Sequence, residues 1–285
     1  MSVDDRLKKN QVFGGSDIAA GMPTSNVVAD DFGWEVPVET VPVPSEGKTY
    51  PPGSSLHGLK TIDIRAMTAR EEDILTSRAL IKKGTVITHL LNSCVVDKSI
   101  KVENMLSGDR NALMVAVRIT GYGTSYRVDV TCPECNERSN QDLSLGDLPI
   151  KRLQIDPVEI GKNLFSYTLP VTGKEVYFRF LTGNDEEEMS VTAERKRKMM
   201  PDSHSDSLVT SRLEKSIVSI DGVSDRSKVN AFIRSMPAQD SRKLRNYIEE
   251  NEPGIEMKIW MGCPRCSEDS KVQLPLSSGF FWPRD

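Results

Sequence analysis

Two pairs of cysteines have the spacing of a tetrahedral metal site. The first lies in the segment DVTCPECNERS (129–139) and the second in WMGCPRCSEDS (260–270). One pair supplies only half of the ligands of a structural zinc ion, so the two pairs together complete a shell of four thiolates. Four protein ligands leave no place for a catalytic water, which predicts a zinc ion that holds structure. We therefore expect one zinc per chain, with the ligands Cys132, Cys135, Cys263 and Cys266.

The segments around the two pairs follow one pattern. An offset of 131 residues superposes both cysteine pairs and three apolar positions, which are Val128 on Ile259, Leu143 on Leu274 and Leu145 on Leu276. Each copy predicts a strand, the cysteine turn and a second strand. Two such hairpins form a zinc ribbon, and the 127 residues between Cys135 and Cys263 are then an insertion. The alternative, thioredoxin-like redox pairs, requires a βαβ pattern that surrounds neither pair.

The composition is that of a globular protein from a reducing compartment. The 285 residues are 38% hydrophobic, and 37 basic residues against 41 acidic ones give a net charge of −4. This balance argues against a nucleic-acid partner, since a basic patch supplies most of such affinity. No apolar run has the length of a membrane span, and MSVDDRLKKN lacks an apolar signal region, so we expect neither membrane insertion nor secretion. Five cysteines, four of them in the pairs, favour the cytosol.

No group of residues in the sequence has the make-up of a catalytic site. Cys94 lies on the apolar face of a predicted helix, which indicates a small core residue. His89 lies off that face and is expected in solvent, and the sequence places no nucleophile beside His57 or His204. We therefore predict that the protein is not an enzyme.

Residues 1–55 are rich in proline and glycine and have almost no helical pattern. Val-Pro-Val at 36–38 and again at 41–43 favours extended or polyproline-like backbone and excludes a central strand. The segment also carries more apolar surface than a solvated tail usually does. We predict an extended N-terminal arm that lies across a partner subunit, with the contact residues Trp34, Val36, Val38 and Tyr50.

Residues 56–148 carry three helical patterns and then the first cysteine hairpin. Thr68 and Glu71 have the spacing of a capping box, and Gly84 is a helix stop. We predict helices at about 68–82, 85–96 and 107–120, which pack on the ribbon.

Residues 149–254 are predicted to be the inserted subdomain. Apolar residues alternate on both sides of a Thr-Gly-Lys turn at 172–174, which indicates a β-hairpin, and helices are expected at about 184–200, 208–220, 225–236 and 237–250. The acids at 185–188 and the bases at 195–198 complement the helix dipole, although a metal and a phosphate are alternative partners. Residues 255–285 carry the second hairpin and a C-terminal tail. The predicted class is α+β, a mostly helical domain built around a split four-cysteine zinc ribbon.

Three parts of the sequence carry a resemblance to a known family. They are RAMTAREEDILTSRALIKKGTVITHLLNSC, GDRNALMVAVRITGYG and the split motifs CPEC and CPRC. From about residue 33 to residue 282, the chain resembles the T-even phage baseplate proteins described as baseplate hub subunits or hub assembly chaperones. The resemblance implies a non-enzymatic protein made in the host cytoplasm for the hub region of a contractile-tail virion. It also implies hub, wedge or tail-tube proteins as partners, with multiple copies in a symmetric ring as one arrangement.

The alternative function is a zinc-ribbon nucleic-acid-binding or transcription-associated factor, because zinc ribbons recur in transcription machinery. Charges of both signs surround the cysteine turns and argue against it; they are Glu134, Glu137, Arg138, Arg265, Glu268 and Asp269. A metalloenzyme would require an open coordination position that four cysteines do not leave.

Overall fold

In the computed structural model of the chain, the described residues are 36–199, 208–274 and 278–282. The fold is a mixed α+β one, as predicted. The helices of the described residues are α1 (Ala69–Thr76), α2 (Arg78–Lys83), α3 (Val86–Cys94), α4 (Ser107–Tyr122), α5 (Gly183–Met199), α6 (Leu208–Ser216), α7 (Arg226–Ser235) and α8 (Ala238–Asn251). The strands are β1 (Val38–Pro42), β2 (Thr61–Arg65), β3 (Ser125–Thr131), β4 (Arg138–Ser144), β5 (Ile150–Lys151), β6 (Phe165–Thr168), β7 (Glu175–Phe178), β8 (Ile217–Ile220), β9 (Gly254–Ile255), β10 (Lys258–Gly262) and β11 (Asp269–Gln273).

Helix α4 is the centre of the core. Its sequence is apolar on several faces, and nearly every residue from Ser107 to Arg118 is buried. A helix of that kind requires neighbours all round, and α4 contacts β1, β2, β9, α3 and α5. The helix ends at Gly123, whose positive φ of 78° suits glycine. The first ribbon strand, β3, begins two residues later, so the ribbon is attached directly to the core helix.

The predicted start of the first helix is confirmed, but the helix is divided in two. Thr68 and Glu71 form the capping box, and the Thr68 backbone N–H donates to the Glu71 carboxylate at 3.0 Å. Ser77 adopts extended backbone between α1 and α2, a boundary position at which serine is favoured. Gly84, with a φ of 72°, ends α2 as predicted.

The predicted arm is wrong over residues 41–50, which pack on the core of the same chain. β1 pairs antiparallel with β2, with Val41 opposite Ile62, and Val41 and Val43 are buried. The prolines are compatible with this arrangement because a two-stranded sheet has only edge strands. Two hydrogen bonds from Ser45 to the carboxylate of Asp109, at 2.9 and 2.6 Å, fix the segment on α4. The segment from Val41 to Tyr50 therefore packs on the core, whereas Val38 and Thr40 are exposed.

The inserted residues form a three-stranded sheet with helices beside it. The predicted hairpin is confirmed as β6 and β7, with Phe165 opposite Phe178. The prediction of one helix over 208–220 is wrong at its end, because α6 stops at Ser216 and β8 pairs with the edge of β7. Ile217 and Ile220 are buried there, so burial against the sheet overrides the helical pattern.

Strands β5 and β9 join the two ends of the insertion. Ile150 lies opposite Ile255, and the Glu256 N–H donates to the Pro149 carbonyl at 2.9 Å. This short pair packs on the first turn of α4, where a Cβ atom on Gly108 would lie 1.7 Å from the Pro253 carbonyl oxygen. Only glycine permits that approach.

No helix in the described ranges combines the length and apolar character needed to cross a membrane.

Candidate metal centre

Two antiparallel hairpins carry the four cysteines at their turns. In the first, β3 pairs with β4 so that Thr131 lies opposite Arg138; in the second, β10 pairs with β11 so that Gly262 lies opposite Asp269. Alternate residues of β3 are buried, as expected for a strand with one face on a core. The pattern places the cysteines just beyond the last pair of each hairpin. The positions of the cysteines in the sequence are therefore enough to place them at the turns of both hairpins.

The two turns have the same backbone geometry at the predicted offset of 131 residues. The Cys132 N–H donates to the Glu137 carbonyl at 2.8 Å, and the Cys263 N–H donates to the Glu268 carbonyl at 3.0 Å. The residue after each second cysteine has a positive φ, 57° at Asn136 and 60° at Ser267. This left-handed residue reverses the chain so that both thiols of a turn point to the same side. Asparagine tolerates it readily.

The structure brings all four predicted ligands together. Their sulfur atoms lie within 4.8 Å of one another, although Cys132 and Cys266 are 134 positions apart in the sequence. The Cys132–Cys266 and Cys135–Cys263 sulfur distances are 3.8 and 3.5 Å. Four thiolates at about 2.3 Å from a tetrahedral zinc would be about 3.8 Å apart. These distances fit a metal site and are far longer than a disulfide bond of about 2.05 Å.

The pKa values of two of the four thiols, Cys263 and Cys266, are shifted in opposite directions. The N–H groups of Cys266 and Arg265 point at the Cys263 sulfur and lower its pKa to about 6. The Glu268 N–H acts in the same way on Cys266, but desolvation and the neighbouring thiols outweigh it and raise that pKa to about 12. The Cys266 thiol therefore favours its protonated form. Zinc binds the thiolate, so binding of a zinc ion would release the proton of Cys266.

Contacts other than those between the thiols also join the two hairpins. Arg265 forms a 2.9 Å ion pair with Glu137 across the site, and the Ser139 hydroxyl contacts the buried Met261 sulfur at 3.5 Å. The exposed ion pair contributes little by itself, so the alignment of the two hairpins depends mainly on the buried contacts.

The ribbon is also tied to the core helix. Arg118 of α4 is buried and donates to the backbone carbonyls of Phe280, Gly123 and Ser125. The Phe280 ring packs edge-on against Tyr126 of β3 at a centroid distance of 5.2 Å. The end of the described chain therefore closes over the base of the first hairpin.

The other residues singled out in the sequence do not join the cysteines. Cys94 is buried, as predicted, and desolvation raises its pKa to about 12, so its thiol is inert. His89 is exposed, as expected, and His57 contacts the Tyr50 carbonyl at 2.6 Å. His204 lies outside the described residues.

The predicted partner residues have different environments. Trp34 lies outside the described residues, Val36 is half-buried, and Val38 is 39% exposed. The prediction that Tyr50 contacts a partner is corrected, because Tyr50 is 5% exposed and its hydroxyl donates to Asp109 at 2.6 Å within the same chain. The proline-rich residues around Tyr50 favoured an arm over a core position. Asp109 is too far from Tyr50 in the sequence for their hydrogen bond to be predicted.

Sequence reasoning missed one exposed aromatic residue. Trp260 lies on β10 and is 69% exposed, with the Lys271 ammonium over its ring at 5.4 Å. Successive side chains of a strand point to opposite faces, so the position of Trp260 in β10 could have predicted that its side chain points outward.

Comparison with known protein families gives a match over most of the chain. The family model described as "T4 bacteriophage base plate protein" matches residues 38–282. This range begins with β1 and includes both cysteine hairpins and the whole insertion. No curated protein and no solved structure matches the chain significantly.

Proposed function

The chain belongs to the T4 bacteriophage base plate protein family, and we propose that it is a non-enzymatic structural or assembly protein of the hub region of a contractile-tail baseplate. The observation that carries the proposal is the family match over most of the chain, from β1 to the final described segment. The proposal locates the protein in the host cytoplasm during assembly and in the tail of the virion. Its partners are then other hub, wedge or tail-tube proteins.

In this role the metal is a zinc ion that stabilises the fold. The donor set supports zinc, since four thiolates favour a soft or borderline ion in tetrahedral geometry. The site joins the residues before the insertion to those after it. A metal at this point would keep the insertion attached at both ends while the protein is incorporated into a larger assembly.

The segment that ends with Val38, the first residue of β1, is the proposed partner contact. It contains Trp34, and the structure leaves Val38 exposed where the described chain begins. An extended apolar segment loses little conformational entropy when it docks, and a tryptophan is a frequent anchor in interfaces. The contact set is therefore Trp34, Val36 and Val38, without Tyr50.

Deletion of the gene from its phage tests the proposal. We expect electron micrographs of the infected host to contain heads and few complete tails, and we expect plasmid-encoded protein to restore them. Normal tails in the deletion would overturn a baseplate role. Mass spectrometry of purified particles then distinguishes a virion subunit, present at a fixed copy number, from an assembly factor that is absent from the particle.

One observation favours nucleic-acid binding as a second candidate. Trp260 is exposed beside Lys271, and an aromatic face with a cation can stack on a base. Asp269 on the neighbouring strand is exposed as well and would repel a phosphate backbone. Salt-dependent binding of single-stranded oligonucleotides by the wild type, lost in Trp260→Ala, would establish this candidate, and its absence would exclude it.

A further inference from the structure

Helix α8 carries three cations on the part of its surface that faces away from the core. Leu244 is fully buried and marks the inward side of the helix. At 3.6 residues per turn, the neighbouring positions point away from that side. They are occupied by Arg242, Lys243 and Arg245, and all three side chains are exposed. These three residues form the α8 cationic cluster.

The described part of the chain supplies no acidic partner for the cluster. None of its three side chains forms an ion pair with a described residue, and the one hydrogen bond runs from the Arg245 Nε to the Ser241 carbonyl at 3.3 Å. Glu249 lies one helical turn after Arg245 but pairs with Lys258 instead. The positive charge of the cluster is therefore not neutralised within the described chain.

The cluster does not stabilise its own helix. Arg242 and Arg245 are three positions apart, so two like charges lie side by side on the helix surface, an arrangement that destabilises a helix. Asp240 is the acid of the first turn, but it is buried and accepts hydrogen bonds from the Val171 N–H, the Thr172 N–H and the Thr172 hydroxyl at 2.8, 3.0 and 2.9 Å. A bound anion would relieve the repulsion that the helix leaves uncompensated.

The surface beside the cluster has room for a bound group. A depression of about 490 Å³ lies on this side of α8, and it is lined by Ala238, Gln239, Arg242, Lys243 and Asn246. Ala238 leaves space between the longer side chains, and the amides of Gln239 and Asn246 can donate to the oxygen atoms of an anion. Tyr247 stacks on Tyr167 of β6 at a centroid distance of 4.4 Å, so the helix that presents the cluster is fixed on the inserted sheet.

We propose that the α8 cationic cluster binds a carboxylate-rich segment of a neighbouring baseplate subunit, an inference that rests on the proposed function. Guanidinium groups hold carboxylates through paired hydrogen bonds, and the lysine adds a point charge. The cluster is too short to follow a nucleic-acid backbone, because Arg242 and Arg245 are only about 4.5 Å apart along the helix axis. Nucleic-acid affinity accumulates over many phosphate contacts, whereas one or two carboxylates satisfy a cluster of this size.

Carbodiimide cross-linking of purified tails, or of tagged assembly complexes from infected cells, tests the proposal. The reagent joins a lysine amine to a carboxylate only where the two are in contact. We expect mass spectrometry to show Lys243 joined to an aspartate or glutamate of another subunit. The purified protein alone should not form this cross-link.

Charge reversal separates binding from folding. The double variant Arg242→Glu/Lys243→Glu should unfold within about 2 °C of the wild type, since surface changes of this kind alter stability little. Its incorporation into tails or assembly complexes should nevertheless fall by about tenfold or more, because attraction becomes repulsion. Lys82→Glu/Lys83→Glu is the matched control on α2, with the same change of charge at exposed positions, and should be incorporated as the wild type is.

The outcomes distinguish this inference from the baseplate role. Absence of the wild-type protein from tails and from assembly complexes would overturn both. A protein that is present but forms no Lys243–carboxylate cross-link, or a double variant that is incorporated normally, would overturn the acidic partner alone. Ultraviolet cross-linking of the cluster to nucleic acid would replace that partner with a nucleic acid. If the double variant unfolds, Arg242→Gln/Lys243→Gln removes the charge without reversing it, and its normal incorporation would equally overturn the proposal.

Discussion

The sulfur atoms of Cys135 and Cys263 lie 3.5 Å apart although the two residues are 128 positions apart in the sequence. The intervening residues leave the ribbon after β4, form their own sheet and helices, and return at β10. A contact between such distant residues closes a long loop, which is entropically costly without an interaction to maintain it. The cysteine cluster, together with the β5–β9 pair, supplies that interaction.

Cys263→Ser should disorder both hairpins, including the one that precedes the insertion. Structural zinc contributes on the order of 10 kcal/mol in small domains, and a larger core lessens the dependence here. Limited proteolysis should show cleavage near both cysteine turns rising together. Cys94→Ala, which removes a buried thiol outside the cluster, is the control and should leave both turns protected. Cleavage confined to the second hairpin would contradict a shared site.

Tyr50→Phe should lower the free energy of unfolding by about 1–3 kcal/mol. The Tyr50 hydroxyl donates to Asp109 and accepts from the Leu106 N–H at 2.9 Å, so its removal leaves the buried Leu106 N–H without this partner and takes one hydrogen bond from Asp109, which keeps those from Ser45. Urea denaturation measures the change. Tyr177→Phe, at a less buried position, is the control. Equal stability of both variants would mean that residues 43–50 are not part of the core.

Gly108→Ala should be strongly destabilising. The new Cβ atom would overlap the Pro253 carbonyl, so either α4 or the β5–β9 pair must move. Gly121→Ala, in the same helix, meets only the Met67 side chain at 3.0 Å and should be near neutral because alanine favours a helix. Thermal unfolding of the two variants compares them directly. A Gly108→Ala protein as stable as the Gly121→Ala protein would show that the junction is not closely packed.

Glu71 should make stability depend on acid pH. Desolvation opposes its ionisation, but hydrogen bonds from Arg65, Ser93 and Thr68 outweigh that effect and lower its pKa to about 2. The folded state therefore favours the carboxylate, and the gain is complete above the ordinary value of about 4.5 and lost as the pH falls toward 2. The pKa difference corresponds to an upper bound of about 3 kcal/mol.

The measurement for Glu71 is the free energy of unfolding between pH 5 and pH 2. The Glu71→Gln variant should be less stable at pH 5 and show a flatter decline than the wild type. Glu72→Gln, the neighbouring carboxylate on α1, removes a bond to Tyr122 but not the Arg65 pair, and should keep the steep decline. An equally steep decline in Glu71→Gln would assign the acid sensitivity to other carboxyls.

The parts of the fold that the sequence predicts are those governed by local patterns. The cysteine spacing and the repeated apolar positions were sufficient to predict two hairpins and their shared site. The capping box at Thr68 and the stop at Gly84 depend on interactions within one turn of helix. These features require no knowledge of the rest of the chain.

The parts that the sequence does not predict depend on distant contacts. The prolines in and beside β1 argued against a strand at this position. Only the pairing of β1 with β2 and the hydrogen bonds from Ser45 to Asp109 attach this segment to the core. β8 follows a helical pattern and becomes a strand because β7 offers an edge.

Zinc K-edge X-ray absorption, with metal content measured on the same sample, tests the central claim most directly. Protein purified without chelator should contain one zinc ion per chain with four sulfur ligands at about 2.3 Å. Cys132→Ser and Cys266→Ser, one from each hairpin, should each lose the four-sulfur shell. A protein without stoichiometric metal, a shell with fewer than four sulfur atoms, or cysteine pairs oxidised to separate disulfides would contradict a zinc site shared between the two hairpins.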